Sequence, residues 1–433
     1  MDLLTLALVG TVVMLGLIAL HVPIGVAMAL CGMVGFAQIA GWGPALSLMA
    51  SEPASTMANL DLAVVPLFML MGSLASVGGL ATDIYDMASK LVGRSRGGLA
   101  TTTVIASGGF GAVCGSGVAT TATFGRVALP EMMRRGYSPA IAAGSVAAGG
   151  TLGIIVPPSS IMILYCVLTE ESVLTLFTAS IVPAILTVIS YIVAIRLTVW
   201  LKPDLAPHGE AVALSERLKG IAAGWRPVLL AVAVLGGIYS GVFTVNEAAA
   251  VGVLLAFLFA LFRGALTVRN FLGALAEASA STAMIYIMIF GATVFSYFIA
   301  VTGGATFLVG AIGSLDVPPP LIIFAFIIVY IILGAFFDEV ASLVITLPFV
   351  LPVILHFGYD PIWWGVINVM VIGIGMLMPP IGINVMLLNS MYPEVKLGTI
   401  YRGVMPFVYA DLVRLVILVL FPSLTLWLPS VMR

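Results

Sequence analysis

From Leu3 to Leu20 the chain carries no charged side chain, and the same is true from Val228 to Val242 and from Leu321 to Gly334. These runs constrain the fold more than any other feature. Only 8% of the residues are charged while 61% are hydrophobic, against about 25% charged in a soluble globular protein. Such a chain cannot cover a water-facing surface, so the lipid bilayer is its expected solvent. In hydrocarbon only helices and closed barrels satisfy their own backbone. Barrel strands alternate with a period of two, whereas these runs are continuously apolar. An all-α polytopic membrane protein is therefore expected. The opening MDLLTLALVG lacks a basic leader and a small-residue cleavage site, so the first run is expected to be a retained span.

Several function classes lose support at once. Cys31, Cys114 and Cys166 lie far apart in apolar runs and read as small core residues. His21, His208 and His356 are equally scattered, with no clustered metal-ligand motif. No phosphate-binding GxxxxGK[ST] loop occurs. The net charge is −2, which gives no support to nucleic-acid binding. An intramembrane enzyme would need a nucleophile–base pair or a metal cluster, and neither is visible, so the expectation is a protein that is not an enzyme and needs no cofactor.

Basic residues mark cytoplasmic loops. Of the 17 Lys and Arg, 14 fall into five clusters: Lys90/Arg94/Arg96, Arg134/Arg135, Arg196/Lys202/Arg217/Lys219/Arg226, Arg263/Arg269 and Lys396/Arg402. The connecting segments Gly41–Leu60, Thr169–Thr175, Thr244–Glu247, Gly303–Pro320 and His356–Pro361 have none, and hold Glu52, Glu170, Glu171, Glu247, Asp316 and Asp360 instead. One threading satisfies this alternation. Both termini lie outside, and the polar loop around Trp200–Arg226 lies inside and separates the halves. Residues 1–200 form the first half, 201–226 a solvated cytoplasmic linker with a short amphipathic stretch, and 227–433 the second half.

A shift of 222 residues lays one region on another. Leu129-Pro130 falls on Leu351-Pro352, Gly136-Tyr137-x-Pro139 on Gly358-Tyr359-x-Pro361, Gly153 on Gly375, and Pro157-Pro158 on Pro379-Pro380. Between 115 and 160 there is no gap, and roughly a quarter of the pairs are identical. The first Gly-Tyr-x-Pro follows Arg134-Arg135 and belongs inside; the second follows His356-Phe357, precedes Asp360 and belongs outside. The two copies are thus expected to be inverted, an architecture of many secondary transporters with substrate and ions near the midplane.

Each copy has two special elements. The first is a pair of apolar arms around a small or polar tip, too short for a comfortable span. The hairpins cover about 97–134, with Gly115-Ser116-Gly117 at the tip, and about 318–356, with Phe336-Phe337-Asp338-Glu339 at the tip. They read as re-entrant hairpins whose tips meet at mid-membrane. The second is a helix broken at Pro-Pro, about 139–168 and about 361–391. Proline removes an amide donor and glycine permits unusual dihedrals, so the helix unwinds and frees carbonyls. Free carbonyls at membrane depth need a cavity or protein around them, and they suit a hard cation such as Na⁺; half-helix N-termini suit a carboxylate. A plain proline kink without a ligand is the alternative.

Asp338 is the sharpest single residue, because a carboxylate within a span points to function by default; a purely hydrogen-bonding role is the alternative. Glu339 is a weaker candidate. Asp411 and Arg414, three apart on one helix face, read as a structural ion pair. Arg126 either snorkels to the cytoplasm or attracts an anion. Glu247 and Glu277 read as solvated or capping residues near span ends.

The run GSGVATTATFGRVALPEMMRRGYSPAIAAGSVAAGGTLGIIVPPSS resembles the large membrane subunit of tripartite ATP-independent periplasmic (TRAP) transporters, the DctM-like family. So do GAFFDEVASLVITLPFVLPVILHFGYDPIWWGVINVMVIGIGMLMPPIGINV and the ending RGVMPFVYADLVRLVILVLFPSLTLWLP. The resemblance covers essentially the whole chain. It implies an elevator-type, Na⁺-driven importer of a small organic acid such as a C4-dicarboxylate, multi-pass in the bacterial inner membrane. It also implies two partners, a small membrane (Q) subunit and a periplasmic substrate-binding protein (P subunit). Some relatives fuse the small subunit in front; this chain begins at the large one, so a separate small partner is expected. Carried over by position, Ser116, Ser159 and Asp338 would face the substrate. Ser116, Gly117, Thr120, Gly153 and Pro157 would form one sodium site, and Asp338, Ser342, Gly375, Pro379 and Gly382 the other. The family often has a second hydroxyl after the first tip serine; here Gly117 stands there. The runner-up is a stand-alone Na⁺/dicarboxylate symporter of similar hairpin architecture, and a third reading is a channel.

Overall fold

In the computed structural model, which describes residues 2–92, 95–207, 220, 222, 224–315 and 317–432, the described residues form helices and no strand. Eight of the described helices are long and apolar enough to cross a membrane. Together with the uncharged runs, this makes the chain a multi-pass membrane protein.

The first half runs α1 (Leu3–Ala19), α2 (Ile24–Ala40), α3 (Trp42–Ala58), α4 (Val64–Val77), α5 (Leu80–Val92), α6 (Gly98–Cys114), α7 (Gly117–Arg134), α8 (Pro139–Ile155), α9 (Ser160–Thr169) and α10 (Val173–Leu201). The second runs α11 (Trp225–Tyr239), α12 (Val245–Phe262), α13 (Val268–Thr302), α14 (Gly304–Gly313), α15 (Pro319–Phe336), α16 (Glu339–His356), α17 (Pro361–Gly375), α18 (Ile383–Met391), α19 (Leu397–Leu420) and α20 (Ser423–Val431). Element order recurs at the spacing seen in the sequence: α7 and α16 start 222 positions apart, as do α8 and α17. One difference stands out. α3 and α4 are separated by a break at Asn59–Ala63, whereas their counterpart α13 is one continuous helix of 35 residues.

The repeated Gly-Tyr-x-Pro is a helix stop followed by a helix start. Gly136 (φ +79°) and Gly358 (φ +76°) take the left-handed conformation that ends a helix. The amides of Tyr137 and Tyr359 then reach back to Met132 O (3.0 Å) and Ile354 O (3.1 Å). Pro139 and Pro361 open the next helix, where a missing amide costs nothing.

Two groups of helices result. α1, α2, α4, α12 and α13 pack on one another, and α6, α7, α8, α10, α15, α17 and α19 form the other group. Small residues set the crossings. A Cβ on Gly291 of α13 would lie 2.0 Å from Gly25 O of α2, and one on Gly403 of α19 would lie 1.9 Å from Ala140 O of α8. Glycine at these points lets backbones touch, as lipid-embedded helices require. The α8–α9 unit sits at the centre, 83% buried where the other long spans are mostly half buried or less.

Two segments expected as plain connections contain helices. Gly41–Leu60 holds α3 and Gly303–Pro320 holds α14. α3 carries Ser51, Glu52, Pro53 and Ser55, a polarity that reads as loop, and Pro53 stands inside the helix, where its missing amide removes one intrahelical hydrogen bond. Of the linker, Pro203–Leu205 forms a single 3₁₀ turn, and Leu205 O accepts the Ser138 amide at 2.9 Å. Arg94, His208, Arg217, Lys219, Asp316 and the amphipathic stretch lie outside the described residues.

Candidate functional site

Each hairpin tip is tied to the Pro-Pro break of its own half. α6 ends at Gly115 (φ +65°), whose carbonyl accepts the Ser160 amide (3.1 Å) and the Ser160 hydroxyl (2.9 Å) from just beyond Pro157-Pro158. In the second half, Ala335 O accepts the amides of Ile381 and Gly382, both at 3.2 Å, from just beyond Pro379-Pro380. Both Pro-Pro bonds are cis. The return arms start alike. Ser116 caps α7 by accepting the Ala119 amide at 3.5 Å, and Asp338 caps α16 by accepting the Ala341 amide at 2.7 Å. The cap role is conserved across the repeat, although the residue changes from hydroxyl to carboxylate.

The first junction is crowded with oxygen. Thr120 Oγ1 donates to Ser116 O at 2.8 Å. Gly153, from the end of α8, approaches so closely that a Cβ there would lie 2.4 Å from Thr120 Oγ1 and 2.6 Å from Ser116 O. Ser116, Thr120 and Gly153 are thus brought together. Gly117 joins them, with Gly150 O and Glu339 Oε2 each 3.4 Å from where its Cβ would be. Pro157 instead lines an apolar groove with Ile105, Ile185 and Val188. Ser159 is fully buried behind Gly115, and its hydroxyl has no partner.

The second junction is more open. Pro379, Pro380 and Ile381 are exposed, whereas Pro157 and Pro158 are buried. Gly382 (φ +55°) turns the chain into α18, and Gly375 packs on Gly334, 2.6 Å from a Cβ position to Gly334 Cα. Ser342 is fully buried, its hydroxyl without a partner, and its amide donates to Asp338 O at 3.1 Å. Nearby Tyr330 and Thr346 share a short hydroxyl–hydroxyl contact, and both side-chain polar atoms of buried Asn368 lack partners. Unpartnered polar atoms at membrane depth are costly unless something binds them.

Beside the first tip lies a cavity of about 140 Å³ lined by Gly72, Ser73, Ser76, Cys114, Ser116, Arg126 and Glu277, among others. Arg126 therefore faces a polar cavity rather than lying along lipid. Glu277 is not at a span end, as expected from sequence, but ten residues into α13, because that helix runs uninterrupted to Thr302. A second cavity of about 480 Å³ lies between α3, α13 and α16, with Glu52, Asn59, Glu170 and Ser296 in its lining. Neither cavity is lined by Ser159 or Asp338.

Asp411 and Arg414 form the ion pair expected of them, 2.9 Å apart, and they are 1% and 3% exposed. The pair reaches further than its helix. Tyr191 OH donates to Asp411 Oδ2 (2.8 Å) and contacts Thr151 Oγ1 (2.9 Å), on the turn of α8 just before its break. Glu247 caps α12 in a capping box with Thr244, as expected.

Sequence reasoning placed Asp338 above Glu339, and the structure separates their surroundings. Asp338 is partly exposed and caps its helix; Glu339 is 6% exposed and points from the second hairpin to the first. The signal, two adjacent carboxylates at a tip, was present. Which of them turned inward was not. Two further buried side chains stand near the first tip: Asn384 crosses from α18 to donate to Ala147 O at 3.2 Å, and Thr121 lies over Gly150.

Residues 11–424 match the family described as tripartite ATP-independent periplasmic transporter, DctM component. The C4-dicarboxylate TRAP transporter large permease protein DctM of Pseudomonas aeruginosa is 34% identical over 376 residues, covering 87% of each chain. The sialic acid TRAP transporter large permease protein SiaM of Vibrio cholerae is 28% identical, covering 96% of each chain. Among solved structures, the YdaH transporter of Alcanivorax borkumensis has a similar fold, with a TM-score of 0.60 at 16% identity over 89% of each chain. The chain therefore belongs to the DctM family and is a large permease subunit of the TRAP transporter class.

Proposed function

We propose that this permease imports a small organic acid by Na⁺-coupled secondary transport. The observation that carries the reading is the pair of tip-to-break junctions, where carbonyls and hydroxyls gather around close-packed glycines. Oxygen-rich, cation-free clusters of this kind suit Na⁺. Ser116, Gly117, Thr120 and Gly153 would hold one ion; Asp338, Ser342, Gly375 and Gly382 the other. Pro157 and Pro379 would act by leaving neighbouring carbonyls without intrahelical donors. The acid would bind beside Ser116, with Arg126 attracting its carboxylate, and Ser159 and Asp338 would complete the site after a shift of the tips. C4-dicarboxylates are the favoured class, since the relative at 34% identity is named for them.

The two helix groups supply the parts for an elevator. The hairpins and broken helices would move as one body past α1, α2, α4, α12 and α13, with the two halves inverted in the bilayer and the hairpins re-entrant. Residues 1–200 and 227–433 would be the halves and 201–226 the cytoplasmic linker. A small membrane (Q) subunit and a periplasmic binding protein (P subunit) would complete the system in the bacterial inner membrane. Each net positive charge entering gains about 2.3 kcal/mol per 100 mV. Two Na⁺ carried with a dicarboxylate dianion bring in no net charge, so accumulation would then rest on the Na⁺ concentration gradient alone, and each Na⁺ beyond two would add that voltage gain.

Proteoliposomes holding the assembled complex test this. Uptake of a labelled C4-dicarboxylate should require an inward Na⁺ gradient and added binding protein. Full uptake in Na⁺-free buffer would sink the coupling, and full uptake by this chain alone would favour a stand-alone symporter.

A further inference from the structure

We propose that the chain binds an anionic phospholipid, with one acyl chain lying in the apolar groove beside the first Pro-Pro break and the phosphate at Arg196. The groove holds about 380 Å³ between α6, α10 and α11. Gly109 on α6, Ile185 and Ile189 on α10, and Leu235 and Tyr239 on α11 line it, together with Pro157 of the break. Ile185 and Ile189 are 55% and 51% exposed, so the groove opens sideways, and around a spanning helix that side is hydrocarbon. The hydroxyl of Tyr239, the only polar side-chain atom in the lining, is itself buried. Nothing there can hold an organic acid, whereas a hydrocarbon chain needs nothing more.

The charge that selects the headgroup stands on the same helix face. Residue 196 follows Ile189 by seven positions and Ile185 by eleven. At 3.6 residues per turn, Arg196 lies within about 20° of both. At 1.5 Å per residue it stands about 10–17 Å further along α10, towards the basic end of that helix. Half of the hydrocarbon core is about 15 Å, so a phosphate at Arg196 puts the far end of its acyl chain in the groove. Arg196 is exposed, and among the described residues it forms no ion pair or hydrogen bond. Trp200, one turn beyond, is 77% exposed, as suits an indole at headgroup depth. A lone guanidinium at this level draws phosphate and favours lipids of net negative charge.

The groove also sits where the two helix groups meet. Its α6 and α10 walls belong to one group, and α11 packs on α12 of the other. Residues Val232–Gly236 of α11 take a π turn beside it, a departure from the α-helix that is frequent at functional sites. An acyl chain in the groove therefore touches both groups at once, against the residue that begins the first break.

The test uses the purified full chain in uncharged detergent and native mass spectrometry, with phosphatidylglycerol and phosphatidylcholine of identical chains as probes. One basic residue near the surface is worth about fivefold in affinity for an anionic lipid. Wild type should therefore bind one phosphatidylglycerol about fivefold more tightly than phosphatidylcholine. Arg196→Gln should bring the two affinities together, and Arg196→Lys should restore most of the difference. Ile185→Trp fills the groove and should weaken both lipids at least tenfold. Both substituted side chains are exposed, so neither change reaches the core. Arg269→Gln on α13, away from the groove, should keep the wild-type preference. Equal affinities in wild type, an unchanged preference in Arg196→Gln, or unchanged binding in Ile185→Trp overturns the proposal. So does an equal loss in Arg269→Gln, which would mean that diffuse charge suffices. Loss of phosphatidylglycerol whenever a small membrane subunit co-purifies would put a protein helix in the groove instead, and overturns it as well.

Discussion

Gly153→Ala adds a single methyl group where the structure has no room for it. The new Cβ would meet Thr120 Oγ1 at 2.4 Å and Ser116 O at 2.6 Å, whereas ordinary contact begins near 3.4 Å. The Thr120 hydroxyl can rotate away, at the loss of its 2.8 Å hydrogen bond to Ser116 O. The Ser116 carbonyl cannot rotate, since it belongs to the backbone of the tip and accepts the Thr120 amide at 3.1 Å. It has to move by about 0.8 Å, and α7 with it. Overpacking of this kind costs about 1–3 kcal/mol, and a lost hydrogen bond adds about 0.5–1.5 kcal/mol. If about 2–3 kcal/mol falls on the ion-loaded state, the Na⁺ concentration for half-maximal uptake rises roughly thirty- to a hundredfold, at about 1.4 kcal/mol per decade. The assay is initial-rate uptake by proteoliposomes of the assembled complex across a NaCl series. Gly310→Ala, where an added Cβ meets nothing within 4 Å, is the control. A Gly153→Ala half-saturation within twofold of wild type would refute the claim that tip and break jointly form an ion site.

Asp338→Asn should abolish uptake while co-purification with the partner subunits persists, because asparagine caps a helix as well as aspartate does and α16 keeps its start; uptake above a tenth of wild type argues against a transport role for the charge. For the Asp411–Arg414 pair, removing one partner strands a buried charge and costs about 3–5 kcal/mol, whereas an apolar replacement of both costs far less. Thermal unfolding in detergent should therefore place Asp411→Leu/Arg414→Met above either single change, and a double variant as unstable as the summed singles would contradict that account. Gly291→Leu drives a side chain into Gly25 O, 2.0 Å from the Cβ position, and should separate α2 from α13. Size-exclusion chromatography should show loss of the monodisperse peak, with Gly43→Leu, which faces open space, unaffected; equal profiles would mean that the crossing tolerates side chains.

Much of this architecture is readable in one dimension. α6 and α7 are interrupted at Gly115-Ser116, where the small-residue tip stands in the sequence. The breaks fall at Pro157-Pro158 and Pro379-Pro380 because proline withholds a donor regardless of context. The Gly-Tyr-x-Pro motifs act as stop and start signals, since both effects arise within five residues of chain. α3 and α14 escaped notice for the opposite reason. Their helicity depends on packing and surroundings more than on an apolar run long enough to span.

The site divides along the same line. Sequence by itself determined that the long apolar runs are helical, where the Pro-Pro and Gly-Tyr-x-Pro stops fall, that one pattern recurs after 222 residues, and which glycines, serines and carboxylates stand at the tips. All of these follow from local backbone chemistry or from periodicity. Only the tertiary structure decided that Gly153 meets Ser116 O, that Tyr191 links Asp411 to Thr151, and that Glu339 rather than Asp338 is the carboxylate buried between the hairpins. Adjacent residues at a helix start point about 100° apart. One of them therefore caps the helix and the other enters the core, and which does which is set by the packing of a hairpin more than 200 residues away.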